Sequence, residues 1–134
     1  MKKVLIIDGQ GGLLGKQMVE AVKKLIPEAE ITAVGTNTMA TATMLKAGAT
    51  NGATGENAVI VNCRHSDVII GPIGIVIADA LYGEITPKMA LAIAQSQAVR
   101  ILLPMNRCDN LIAGIQDIST KVIIEDAIAK LLNI

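Results

Sequence analysis

The sequence predicts an α/β fold: a Rossmann-like, three-layer domain with a mostly parallel sheet and helices on both faces. Two observations predict it. Short apolar runs, typical of buried parallel strands, alternate with segments whose apolar residues recur at helical spacing. The first of these strands also leads through a glycine-rich stretch directly into an amphipathic helix. Because 134 residues is a one-domain length, we expect residues 1–134 to form a single domain.

The first elements follow a strand–helix–strand–helix order. The apolar run from Lys3 to Asp8 predicts a buried strand. Apolar residues from Leu14 to Leu25 recur at helical spacing, and Pro27 stops that helix. The segment from Glu30 to Val34 predicts the second strand. A helix rich in Ala, Thr and Met follows and ends at Gly48, a suitable C-cap.

The middle of the chain is less regular. We interpret Asn51 to Asn57 as a glycine-rich connection. The β-branched residues within Ala58 to His65 favour a strand, whereas Thr54 as an N-cap and Glu56 in a first turn favour a helix. We predict a helix, because Asp67 to Ile70 is a clear strand that follows after only a tight link.

The second half continues the alternation of helices and strands. An apolar segment from Ile75 to Tyr82 predicts a short helix that Gly83 stops. Thr86 and Pro87 have the residue types of an N-cap and a first helical position, and predict a helix to about Gln97. The remaining elements are a strand at Val99–Leu103, a short strand at Leu111–Gln116 and a final helix that Ser119 caps and that runs through Leu132.

Glycine and small polar residues follow the predicted strands, at the edge formed by the strands' carboxyl ends. Ligands of open α/β sheets bind at that edge, so we predict a ligand site there. The alternative is that tight turns require Gly, Pro and Asn in any case. The candidate binding residues are Gly9, Gln10, Gly11, Gly12, Leu13 and Gly15 after the first strand, Gly35, Thr36 and Asn37 after the second, Gly71 and Gly74 after the Asp67 strand, and Asn106 and Arg107 after the Val99 strand.

The spacing of the first glycines indicates a phosphate-binding loop. Gly9, Gly12 and Gly15 match Gly-x-x-Gly-x-x-Gly, the spacing of the nucleotide loop in extended short-chain dehydrogenases. Such glycines let the backbone approach a pyrophosphate at a helix N-terminus. A Walker A loop is excluded, because Gln10 replaces its first glycine and Gln17 replaces its Ser or Thr.

The rest of a dehydrogenase pattern is missing. An NAD site requires an acid at the end of the second strand, where this chain has Gly35, Thr36 and Asn37. Tyr82 is followed four residues later by Thr86, so the Tyr-x-x-x-Lys catalytic pair is absent. The cofactor therefore stays unknown, with an NAD(P)-like nucleotide left open.

Several single residues have two interpretations each. Asp8 could bind a metal or act as a base, but hydrogen bonds to the loop amides are the favoured role. Arg107 could clamp a carboxylate or phosphate, or form a surface ion pair. Cys108 beside it is either a reactive thiol or, in the favoured interpretation, an inert one. With His65 as the single histidine, we expect no metal site.

Composition excludes some partners and suggests another. The formal net charge is zero, and no basic patch or aromatic platform indicates nucleic acid. The longest apolar stretch is too short and too interrupted for a membrane helix, so we expect a cytoplasmic protein. Hydrophobic residues make up 51% of the chain. This fraction fits either a purely aliphatic core or apolar surface that a second subunit covers. We expect a homo-oligomer, with an apolar helical face around Ile73–Leu81 as its interface.

Six motifs are spread along nearly the whole chain: Ile7–Gly12, Gly35–Asn37, Gly52–Asn57, Asp67–Ile75, Gly83–Pro87 and Pro104–Cys108. Taken together, they resemble a family of short bacterial proteins of unknown function. The resemblance implies a Rossmann-like domain in a bacterial cytoplasm. The family has no established activity, so the resemblance implies none for this chain.

Three functional hypotheses remain open. The first is a binding protein for a nucleotide or another small phosphorylated or anionic ligand. The second is an oligomeric structural or regulatory protein that has no ligand. The third is an enzyme whose site is completed across a dimer by Asp8, Asn37, Asn106 and Arg107, and fold analogy alone supports it.

Overall fold

The computed structural model describes residues 2–105 and 109–134, and confirms the predicted fold class. Five parallel strands form one sheet, with helices on both faces. The strands are β1 (Lys3–Asp8), β2 (Glu30–Gly35), β3 (Asn51–Thr54), β4 (Val68–Pro72) and β5 (Val99–Leu103). The helices are α1 (Leu13–Leu25), α2 (Thr38–Lys46), α3 (Glu56–Cys63), α4 (Pro87–Gln95) and α5 (Thr120–Leu132).

The order of the strands is β3-β2-β1-β4-β5, with β1 at the centre. Asp8 at the end of β1 lies opposite Gly35 at the end of β2, so the loops that follow these two strands begin side by side. On its other side β1 pairs with β4, where Ile6 lies opposite Ile70. The chain changes direction across the sheet at β1, and the loops at this carboxyl edge are where a doubly wound fold binds its ligands.

Aliphatic side chains fill both layers between the sheet and its helices. Alternate residues of β1 point to opposite faces. Val4 and Ile6 belong to the layer that includes residues of α1, α2 and α5, whereas Leu5 and Ile7 belong to the layer beneath α3 and α4. All four are buried. The continuous apolar character of β1 therefore reflects its burial on both faces.

The glycine-rich connection predicted at Asn51–Asn57 is wrong, because its first four residues form the edge strand β3. Asn51 and Gly52 have low strand propensity and are exposed, so the sequence carried no strand signal there. Backbone pairing with β2, from Thr32–Asn51 to Gly35–Thr54, creates the strand. The helix predicted next is confirmed as α3, although Gly55 and not Thr54 occupies its N-cap.

The helix predicted over Ile75–Tyr82 is also wrong. A short 3₁₀ turn at Ile73–Val76 is followed by a tight loop, in which Asp79, Leu81 and Tyr82 have positive φ. The Asp79 N–H donates to the Ile85 carbonyl and closes this loop. Its apolar residues Ile75, Ala80 and Leu81 are buried within the chain itself, so they do not form the exposed helical face expected for an oligomer.

Two further differences lie in the second half of the chain. The short strand predicted at Leu111–Gln116 is wrong, because this segment has no regular secondary structure. Most of it is exposed, and Gly114 has a φ of +84°, which interrupts an extended chain. The helix that begins after Thr86 ends at Gln95, slightly earlier than predicted, where Ser96 becomes extended.

Over residues 2–105 and 109–134, no helix has the length and apolar character that crossing a bilayer requires.

Candidate functional site

The buried carboxylate of Asp8 organises the glycine-rich loop between β1 and α1. One carboxylate oxygen accepts from the Gly9 N–H at 2.8 Å, and the other accepts from the Gly15 N–H at 2.7 Å. Within the loop, the Gly12 N–H donates to the Gly9 carbonyl at 2.9 Å. Asp8 thereby has the structural role that the sequence favoured, and it satisfies one of the free amides in the first turn of α1.

Close packing explains most of the glycines in this loop, because a Cβ at these positions would collide with neighbouring atoms. Gly12 has a φ of +74°, and a Cβ there would lie 2.8 Å from Cα of Ala40. A Cβ at Gly15 would lie 2.5 Å from the sulfur of Met44, so this glycine lets α1 approach its neighbour closely. A Cβ at Gly9 would meet three side chains within 2.9 Å, those of Thr36, Glu84 and Leu81.

Gly11 differs from these neighbours. Its φ lies outside the left-handed region, and the nearest atom to a Cβ built there is Cγ of Leu13, 4.0 Å away. A side chain at this position would therefore extend into open space. Neither packing nor backbone conformation requires a glycine at residue 11.

A cleft of about 310 Å³ lies over this loop. Its walls include the first turn of α1 and Thr120 at the start of α5. The amides of Gly11, Leu13 and Leu14 have no acceptor among the residues that the structure describes. The full lining consists of Asp8, Gly9, Gln10, Gly11, Gly12, Leu13, Leu14, Gln17, Met105 and Thr120.

The glycines after β2 and β4 lie apart from this cleft. Gly35, Gly71 and Gly74 are buried. A Cβ at Gly35 would lie 2.4 Å from the Thr41 hydroxyl, and one at Gly71 would lie 2.5 Å from the Ile7 carbonyl oxygen. At these two positions close packing leaves no room for a side chain. Asn106, Arg107 and Cys108, which the sequence also singled out, lie outside the described residues.

Sequence reasoning missed Glu84, which precedes α4 and lies against the ends of β1 and β2. Its Oε1 accepts from the Gln10 N–H at 2.9 Å, from the Thr36 hydroxyl at 2.5 Å and from Nδ2 of Asn37 at 2.9 Å. Thr36 and Asn37 were therefore correctly placed beside the glycine loop, but their donors already have an acceptor. The sequence contained only an indirect signal for Glu84, which was the absence of an acidic residue from the segment that follows the second strand.

The two carboxylates near the loop have opposite pKa shifts. Burial raises the pKa of Asp8, the amide bonds from Gly15 and Gly9 oppose this effect, and the negative charge of Glu84 adds to it. Burial also acts to raise the pKa of Glu84, but the hydrogen bonds from Thr36, Gln10 and Asn37 outweigh burial and lower it. Glu84 is thus held as a carboxylate. In the described part of the chain, no three His, Cys, Asp or Glu side chains are grouped as metal ligands.

A glycine-rich strand–turn–helix unit at the carboxyl edge of a parallel sheet places the chain in the Rossmann-like class of α/β proteins. Residues 3–134 match the model of a family described as a domain of unknown function, DUF3842, and the chain belongs to that family. The expected membership in an uncharacterised family is thereby confirmed.

One solved structure similar to the chain is a dodecameric FMN-dependent UbiX-like decarboxylase from Escherichia coli O157:H7. The sequence identity is 17% and the TM-score 0.46, with 99% of this chain and 92% of that one covered. No curated protein matches the chain.

Proposed function

We propose that this protein binds a small phosphorylated or otherwise anionic metabolite in the cleft over the glycine loop. The observation that carries the proposal is Gly11. It lies on the wall of the cleft, it has room for a side chain, and its φ does not require glycine. Close approach of a ligand to the backbone is the remaining physical reason for a glycine there.

The donors around the cleft support an anionic ligand. The free amides of Leu13 and Leu14 belong to the first turn of α1, where the helix dipole favours negative charge. Ser119 caps α5, and Thr120, the first residue of that helix, also lines the cleft. An anion in the cleft would therefore lie near two helix N-termini.

The size of the cleft and the position of Glu84 favour a compact ligand. A volume of about 310 Å³ is at the lower end of the range for small-molecule sites. At the end of β2, where an NAD-binding fold holds the adenosine ribose, the donors of Thr36 and Asn37 are bonded to Glu84. A mononucleotide or a sugar phosphate therefore fits better than an NAD(P)-like dinucleotide.

One observation favours a second candidate, an oligomeric structural or regulatory protein without a ligand. The Asp8 carboxylate already accepts a hydrogen bond from the first turn of α1, through Gly15. The described residues that line the cleft include this acid and neither Lys nor Arg. In this second candidate, the only anionic group that the glycine loop binds is the Asp8 carboxylate of the chain itself.

Isothermal titration and thermal shift with a mononucleotide, a sugar phosphate, a dinucleotide and inorganic phosphate distinguish the two candidates. We expect the compact phosphates to bind and to raise the melting temperature. Gly11→Val should weaken this binding about tenfold or more, a loss of at least about 1.4 kcal/mol, because its side chain would keep a ligand away from the backbone at the wall of the cleft. Ala113→Val, at an exposed residue outside the cleft lining, is the matched control and should bind as the wild type does. A flat result across the panel would favour the protein without a ligand.

A further inference from the structure

Three hydrogen-bond donors from different positions converge on a single carboxylate oxygen of Glu84. They are the Gln10 N–H, the Thr36 hydroxyl and the Asn37 side-chain amide, at 2.5–2.9 Å from Oε1. A set of convergent donors around one oxygen is the arrangement by which proteins hold an anionic group.

These donors are held in place by contacts that do not involve Glu84. Asn37 caps α2 by accepting from the Ala40 N–H at 2.8 Å, and its Nδ2 also donates to the Gln10 carbonyl at 2.9 Å. The backbone of Thr36 is held by its N–H, which donates to the Asp8 carbonyl at 3.0 Å. The Asn37 side chain and the backbones of Gln10 and Thr36 therefore have anchors other than Glu84, and such anchors favour a preorganised binding site.

The side chain of Glu84 can leave this position without unfolding its loop. The backbone there is fixed by a 3.1 Å hydrogen bond from the Glu84 N–H to the Leu81 carbonyl. Leu81 and Ile85 anchor the loop on both sides, with relative exposures of 3% and 0%. Glu84 itself is only partly buried, so rotation of its side chain releases the three donors.

We propose that Gln10, Thr36 and Asn37 form a second anion subsite, which Glu84 occupies as an internal substitute for a ligand. A carboxylate or phosphate group of the ligand takes the same three hydrogen bonds after it displaces the Glu84 side chain. Because both groups are negative, they exclude each other, and Glu84 weakens binding of an anion here until the ligand competes successfully. This subsite goes beyond the function proposed above, since its donors are not the amides of Gly11, Leu13 and Leu14.

The test is an NMR titration of ¹⁵N-labelled protein with inorganic phosphate, in the wild type and in Glu84→Ala. We expect phosphate to shift the Gln10 amide and the Asn37 side-chain amide in Glu84→Ala, with a Kd at least about tenfold lower than any binding at these groups in the wild type. The double variant Glu84→Ala/Thr36→Val should lose this binding, because it lacks one of the three donors. Within residues 2–105 and 109–134, the Thr36 hydroxyl bonds to Glu84 alone, so the second substitution removes no other hydrogen bond. Glu84→Gln, which keeps an acceptor oxygen but no charge, should lie between wild type and Glu84→Ala.

Circular dichroism checks that Glu84→Ala is folded, and Glu84→Gln supplies the comparison if it is not. Equal responses of Gln10 and Asn37 in wild type and in the Glu84 variants would overturn the subsite. Shifts confined to Gly11, Leu13 and Leu14 would also overturn it, while supporting the cleft. Shifts at Gln10 and Asn37 without any at those three amides would support the subsite and contradict the cleft.

Discussion

Oε1 of Glu84 lies 2.9 Å from the backbone nitrogen of Gln10, although 74 positions separate the two residues in the chain. This bond connects the loop before α4 to the glycine loop after β1. It brings a carboxylate to the end of the second strand from a distant part of the sequence. Unlike the acid that NAD-binding folds keep there for the ribose, this carboxylate has an oxygen, Oε1, that already accepts hydrogen bonds from Gln10, Thr36 and Asn37.

The bonded state of Glu84 predicts a pH dependence of stability. Burial opposes ionisation, but the hydrogen bonds from Thr36, Gln10 and Asn37 lower its pKa below the ordinary value. The folded state then binds fewer protons than the unfolded state, so Glu84 contributes stability above about pH 4.3 and loses it as the pH falls through the folded pKa. Urea unfolding of wild type and Glu84→Gln should show a smaller loss toward acid pH in the variant.

The pKa of Asp8 is shifted in the opposite direction from that of Glu84. The pH profile of the wild type therefore has to be compared with that of Glu84→Gln. Its raised pKa means that the folded state holds this proton longer, so the contribution of Asp8 to stability decreases as the pH rises through the folded pKa. Both proteins contain Asp8, and its contribution largely cancels in their difference. Identical pH profiles would show that Glu84 makes no such hydrogen bonds in the folded protein.

Gly11 and Gly12 are neighbours with different expected sensitivities to substitution. Gly12→Ala should lower the free energy of unfolding by about 2 kcal/mol or more, because the residue has a left-handed φ and its Cβ would meet the backbone of Ala40. Gly11→Ala should change it by no more than about 0.5 kcal/mol. Urea denaturation monitored by circular dichroism measures both. Comparable destabilisation by the two variants would mean that packing also explains Gly11.

We expect a homodimer or larger assembly, with an interface different from the one first expected. The apolar residues of the loop after β4 are buried internally, whereas Leu111, Ile115, Ile118 and Val122 are 43–96% exposed. Light scattering at micromolar concentrations should give a mass above that of the monomer, and Leu111→Asp should reduce it. Leu25→Asp, at an exposed leucine near the end of α1, is the matched control. A monomer mass at all concentrations would contradict this prediction.

The fold was predictable because local patterns and global topology agree. β1, β2, β4 and β5 are apolar runs bounded by turn residues, and α1 has a clear polar face. β3 was missed because its strand character comes from pairing with β2 and not from its own residues. The loop after β4 was predicted as a helix because its apolar residues recur at a spacing that also suits a helix. In the structure a tight turn buries these residues.

The site was predictable only in part, for a related reason. The glycine loop, Thr36 and Asn37 were placed together correctly because the carboxyl ends of neighbouring parallel strands meet. Glu84 could not be assigned from sequence, because its position depends on how a long loop closes through the bond between Asp79 and Ile85. The lining of the cleft includes Met105 and Thr120 but neither Gly35 nor Gly71, so these two glycines, which the sequence singled out as candidate binding residues, lie outside it.

The most direct test of the central claim is an NMR titration of the wild-type protein with inorganic phosphate, read at the amides of the glycine loop. If the cleft binds anions, the amide signals of Gly11, Leu13 and Leu14 should shift saturably. The Gly15 amide, which is bonded to Asp8, should shift less. No shift at Gly11, Leu13 and Leu14 up to high phosphate concentration, or equal small shifts across the whole chain, would contradict the proposal that this loop holds an anionic ligand.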